Sequence, residues 1–90
     1  MGIIRVVVSY TGRVQGVGFR ATAVRCAERF EVSGWVRNEP NGGVTLVAEG
    51  ASEEVDGLLD EVARTMKGCI RGVDRREEPP IGEQGFGVRR

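Results

Sequence analysis

The sequence predicts an α+β sandwich, with two helices packed on one face of an antiparallel sheet. Three observations carry that expectation. Residues 3–11, IIRVVVSYT, are β-branched and roughly alternating, as in a strand with one buried face. Residues 55–66 repeat their apolar side chains at helical spacing. The Pro-Asn-Gly run at 40–42 separates two apolar segments, which is a hairpin signal.

Along the first strand, Ile4, Val6, Val8 and Tyr10 share one face, so it reads as a central strand. A glycine-rich stretch, GRVQGVGFR at 12–20, follows it. From Arg20 to about Phe30 the pattern turns helical, with Ala23, Ala27 and Phe30 on one stripe and Val24 beside it. GWVRN (34–38) reads as a short strand, EPNGG (39–43) as a turn and GVTLVAEG (43–50) as the returning strand. Ser52 is the expected N-cap of the second helix, and Glu53 and Glu54 suit the positive end of its dipole. Val55, Leu58, Leu59, Val62, Ala63 and Met66 form its apolar stripe, and Gly68 is the expected left-handed residue that ends it. CIRGVDRREE (69–78) reads as a polar edge strand whose Arg75, Arg76, Glu77 and Glu78 discourage pairing with other chains. PPIGEQG (79–85) is a loop and FGVRR (86–90) a short last strand. The order β-α-β-β-α-β with a short fifth strand is the split βαβ, ferredoxin-like pattern. It is read as one domain over residues 1–90, without repeats or linkers.

Composition narrows the function. Thirteen basic and 13 acidic side chains cancel, which argues against broad electrostatic binding to nucleic acid or to an anionic membrane. No apolar run approaches the roughly 20 residues of a membrane span, and the N-terminus has no leader pattern, so a cytoplasmic protein is expected. Cys26 and Cys69 form no CxxC motif and read as two free thiols in a reducing compartment. There is no histidine, which removes the commonest general base and the commonest metal ligand. No metal and no cofactor are expected.

A glycine-rich turn from strand to helix points backbone N–H groups inward, and the helix start adds partial positive charge. Such a cradle suits a tetrahedral oxyanion. Gly16 and Gly18 let the backbone approach closely, while Arg20 can reach back with a bidentate guanidinium. The stretch lacks the Lys-Ser/Thr ending of a nucleotide P-loop and is not GxGxxG, so the ligand expected is phosphate-sized. Asn38, where a strand runs into its turn, is by itself an ordinary turn residue. In a split βαβ sheet it can also lie near the first loop. Arg37 either borders that cleft or faces solvent, and Trp35 reads as packing.

GRVQGVGFR together with the Asn of GWVRN resembles the acylphosphatase family, and the likeness covers nearly the whole chain, including the closing GFGVR. The two motifs in combination are specific; either alone is much less so. The resemblance implies a ferredoxin-like α/β sandwich and metal-free hydrolysis of acyl phosphates to a carboxylate and inorganic phosphate. It implies that Arg20 binds the phosphoryl group and Asn38 positions the attacking water. Gln15, Gly16, Val17, Gly18, Phe19 and Arg20 would form the phosphate-binding loop. The expected partners are a small acyl phosphate substrate and the phosphate product, with no nucleic acid and no membrane, for a monomer.

The chain departs from the family pattern at several places, the strand GVDRREE (72–78) being more polar than usual among them. Glu31 stands where a glycine is common near the end of the first helix; a non-glycine left-handed cap costs about 1 kcal/mol, so the helix is expected to end differently. The residues after Arg20, ATAV, are smaller than usual. Glu39, next to Asn38, threatens to bring negative charge to an anionic substrate. Two rival readings use the same scaffold. An RNA-binding module would need more stacking aromatics than three Phe, one Tyr and one Trp. A non-catalytic phosphate- or ligand-sensing domain would keep the cradle and turn nothing over.

Overall fold

The computed structural model describes residues 2–90. The chain runs β1 (Ile3–Gly12), α1 (Phe19–Ala27), β2 (Val32–Asn38), β3 (Val44–Ala51), α2 (Ser52–Thr65), β4 (Ile70–Glu78) and β5 (Phe86–Val88). The expected element order is present. The five strands form one sheet in the order β4-β1-β3-β2-β5. Alternation along each strand sends Val6, Val8, Tyr10, Val36, Leu46 and Ala48 toward the helices, where they pack with Phe19, Ala23, Val55, Leu58 and Val62. Cys26 belongs to this core and Cys69 lies against it; both are free thiols.

The sheet is mixed rather than purely antiparallel. β1 and β2 both run antiparallel to β3, whereas β5 runs parallel to β2, pairing Gly34 with Phe86 and Val36 with Val88. The cause is the route of the chain after β4. β4 finishes opposite Arg5, at the end of the sheet where β2 begins, and residues 79–85 cross from one edge to the other there. Four strand spacings amount to about 19 Å and seven extended residues reach about 24 Å, so the crossing is nearly taut and β5 sets off alongside β2.

Both helices end differently from the sequence expectation. α1 stops at Ala27 and the chain tightens into successive three-residue turns, with the amides of Glu28, Arg29 and Phe30 donating to the carbonyls of Arg25, Cys26 and Ala27 at 3.3, 3.1 and 3.1 Å. Phe30 therefore lies outside the helix, although its ring still packs on the core beside Gly57. Glu31 takes no left-handed conformation, and its amide donates to Glu54 Oε1 at 2.8 Å. In α2, Ser52 is the first helical residue; Ala51 occupies the cap position and offers no side-chain bond. Ala63 is exposed, at the rim of the stripe. The helix ends at Met66, whose buried side chain holds the turn and whose carbonyl accepts from the amides of Cys69 and Ile70 at 2.9 and 3.2 Å. Gly68 takes no left-handed conformation.

On the face away from the helices, Arg5 and Glu49 are nearly buried at 8% and 5% exposure and pair at 2.8 Å. Glu49 also accepts the amides of Ile81, Gly82 and Glu83 at 3.2, 3.1 and 3.4 Å, which fixes the crossing segment to the middle of the sheet. Glu83 accepts from Arg5 at 3.1 Å and from the Trp35 indole at 3.2 Å. Burial pushes the Glu49 carboxyl up, but the three amides and the Arg5 guanidinium outweigh it and hold the group below the ordinary carboxylate range. A depressed folded-state value means stability that is present above the unfolded pKa and lost as pH falls through the folded one. Glu49→Gln is expected to cost about 1–2 kcal/mol near neutral pH, because it removes one of the three carboxylates facing Arg5 and one of the two oxygens that accept the amides of the crossing segment. In urea unfolding this difference from wild type should shrink steadily below about pH 4; a difference independent of pH would contradict it.

Candidate active site

Because β1, β2 and β5 all run the same way, their C-terminal ends meet at one end of the sheet. The glycine-rich loop leaves β1 there, Asn38 ends β2 there, and Arg89 and Arg90 follow β5 there. The register is specific. Val44 of β3 stands opposite Tyr10 on one side and Asn38 on the other. Asn38 lies two positions beyond core-facing Val36, so it shares the helix-side face with Tyr10.

The loop is shaped by its glycines. Gly16 and Gly18 adopt φ of 74° and 80°, a left-handed backbone that other residues rarely take. Gly18 caps α1 without a side-chain bond, and its carbonyl accepts the first helical bond from the amide of Thr22 at 2.9 Å. The amides of Phe19, Arg20 and Ala21 thus open the helix with no intrahelical acceptor. Phe19 is buried against Tyr10, with ring centroids 4.9 Å apart, and this anchors the helix start to β1. Arg20 follows in the first turn, half-buried.

An open cavity of about 440 Å³ lies between these parts. Gly16, Gly18, Phe19, Arg20 and Asn38 all line it, so the loop and the strand end singled out in the sequence do converge. Gln15 and Val17 do not line it. Val17 packs against the core. The Gln15 carboxamide points to the β2–β3 turn instead, donating to the carbonyls of Glu39 at 2.7 Å and Gly43 at 2.8 Å.

Three lining residues escaped the sequence reading, Val14, Val88 and Arg90, while Ala21 belongs to the small run already noted after Arg20. Val14 is buried beneath the loop. Ala21 is one of the small residues after Arg20 and leaves the cavity open on its side. Val88 and Arg90 arrive through β5. The signal was available in the alternation of the last strand: Val88 pairs with core-facing Val36, so Arg90 falls on the same side and Arg89 on the opposite one. Arg89 indeed lies against the Trp35 ring at 4.4 Å. Arg20 and Arg90 make no ion pair among the described residues.

Glu39 does not bring its charge to the cavity. Its carboxylate turns to the open face of the sheet, accepting from the Thr45 hydroxyl at 2.7 Å and from Arg37 at 3.1 and 3.0 Å. These bonds hold its carboxyl below the ordinary range, with the Thr45 hydroxyl the larger cause. Arg37 is accordingly a partner of Glu39 and of the Trp35 ring, 5.0 Å away, and does not border the cleft. Burial pushes the Tyr10 phenol above its ordinary range, so it stays protonated beneath the site.

Comparison with known proteins agrees with the geometry. The profile of the acylphosphatase family matches residues 6–88. A curated acylphosphatase from Methylococcus capsulatus is 49% identical over 80 residues, covering 88% of this chain and 87% of the relative. One from Salinibacter ruber is 45% identical over 89 residues, covering 96% and 93%. Among solved structures, the crystal structure of acylphosphatase from Bacillus subtilis superposes with a TM-score of 0.86 at 25% identity, covering 97% of this chain and 99% of that one.

Proposed function

The chain belongs to the acylphosphatase family, and we propose that it hydrolyses the carboxyl–phosphate bond of acyl phosphates with Arg20 as the phosphoryl clamp and Asn38 as the holder of the attacking water. The observation that carries this reading is the single cavity lined by both side chains and by the opened start of α1.

An acyl phosphate is a mixed anhydride whose carboxylate leaves readily, so the protein has little acid catalysis to supply. Its task is in-line positioning and stabilisation of charge spread over the phosphoryl oxygens. The Arg20 guanidinium and the loop amides answer the charge. Asn38 cannot act as a base near neutral pH, but its carboxamide both donates and accepts and so can orient a water. The water oxygen bonds to phosphorus and the phosphorus–acyl oxygen bond breaks with its electron pair going to the carboxylate. One water proton passes to a phosphoryl oxygen, giving a carboxylate and dihydrogen phosphate. Arg90 adds a second cation at the rim. The charged edge of β4 supports a monomer, and the two unbridged thiols support a reducing, cytoplasmic setting.

Wild-type enzyme should hydrolyse benzoyl phosphate and leave a phosphate monoester untouched, in the presence of EDTA as in its absence. Phosphate binding without turnover would return the site to the sensing reading. Arg20→Ala is expected to lower kcat/KM about a thousandfold and to weaken inhibition by inorganic phosphate. Asn38→Ala should lower kcat about a hundredfold with little change in phosphate inhibition; equal losses in both would remove its water-positioning role. Arg90→Gln should raise KM about threefold at unchanged kcat, the size of effect an exposed cation exerts.

A further inference from the structure

Gln15 sits in the loop next to Gly16, yet its side chain turns away from the cavity. Both N–H bonds of its carboxamide go to main-chain carbonyls of the β2–β3 turn, Glu39 at 2.7 Å and Gly43 at 2.8 Å. Those carbonyls are the two ends of the turn. The Glu39 amide donates to the Gly43 carbonyl at 2.9 Å, and the Gly42 amide to the Glu39 carbonyl at 3.1 Å. Inside the turn, the Gly43 amide donates to Asn41 Oδ1 at 2.9 Å. The turn is therefore closed on itself, and one side chain from the opposite wall of the cavity ties it at both ends. Asn38 is the residue that enters this turn.

We propose that Gln15 is a positioning residue that sets the distance between the phosphoryl-binding loop and Asn38. The two walls of the site come from different strands, β1 and β2, which are not neighbours in the sheet; β3 lies between them. Sheet hydrogen bonds fix Asn38 relative to Val44, but beyond Val44 the ladder ends and the turn is exposed at Pro40, Asn41 and Gly42. Gln15 supplies the cross-cavity tie where the sheet no longer does. Water attack in line with the leaving group depends on that spacing, whereas holding a phosphate ion on the loop and Arg20 does not. Gln15 thus acts on turnover through Asn38.

This inference rests on the hydrolase reading, and a double-mutant cycle on benzoyl phosphate hydrolysis separates the two. Gln15→Ala is expected to lower kcat about tenfold while the inhibition constant of inorganic phosphate stays within about twofold. Placed in the Asn38→Ala background, the same substitution should change kcat by less than about twofold, since the group it positions is gone. A full tenfold loss in that background, or a parallel loss of phosphate binding, would overturn the proposal. Gln15→Glu, which keeps the size and replaces the donors by a carboxylate facing two carbonyls, gives the same cycle if the alanine variant does not fold. If wild type itself turns over no acyl phosphate, the failure lies with the hydrolase reading and not with the tie.

Discussion

The register of β3 is the constraint on which the site depends. β3 is the middle strand, and its two faces are committed in opposite ways: Leu46 and Ala48 to the helices, Val47 and Glu49 to the other side. One position of slip against β1 would exchange these faces, placing the Glu49 carboxylate in the core and leucine on the open side. The same register sets Val44 between Tyr10 and Asn38. Tyr10 seats Phe19, Phe19 seats the start of α1, and Arg20 is the next residue. Two side chains far apart in sequence thus reach one cavity because both are counted from a single valine.

The opposite face shows how the third co-directional strand is secured. β5 has only three residues, too few to hold a sheet edge by pairing alone. It is held because the segment leading to it is fixed midway. Glu49 gathers three amides and a guanidinium, and Glu83 bonds to Arg5 and Trp35. A buried ion pair without these extra bonds would be costly. Here both Glu49 oxygens have donors, and the cluster fixes a direction for the chain. The consequence is felt at the far end of the strand, where Arg90 joins the cavity.

Much of this was legible in the sequence, and the failures have physical causes. Strand alternation in IIRVVVSYT gave the correct core face, and the glycines at 16 and 18 marked the loop that lines the cavity. The parallel pairing of β5 was not legible, because no local signal states which edge a short strand joins; that is decided by the crossing segment and Glu49. The helix ends were misplaced because capping preferences are weak against tertiary packing: buried Met66 overrode Gly68, and α1 gave way to three-residue turns before Phe30. The expectation that Glu31 would not serve as a left-handed cap was met. Gln15 was placed in the phosphate-binding loop, but motif position says which loop a side chain belongs to and not which way it points, so its bonds to the β2–β3 turn were not legible.

Charge at the site depends on which neighbouring charges are paired away from it. The chain is neutral, with 13 cations and 13 acids, so no broad field draws an anion in. The field at the cavity is local. Arg5, Arg29, Arg37, Arg64, Arg75 and Arg76 each face a carboxylate, whereas Arg20 and Arg90, like Arg13, Arg25, Lys67, Arg71 and Arg89, face none among the described residues. The carboxylate nearest in sequence to Asn38 is that of Glu39. It is drawn to the other face by Thr45 and Arg37, whose bonds also hold it ionised there. A guanidinium left without a protein acceptor has its donors available to a phosphoryl group at no cost in broken ion pairs.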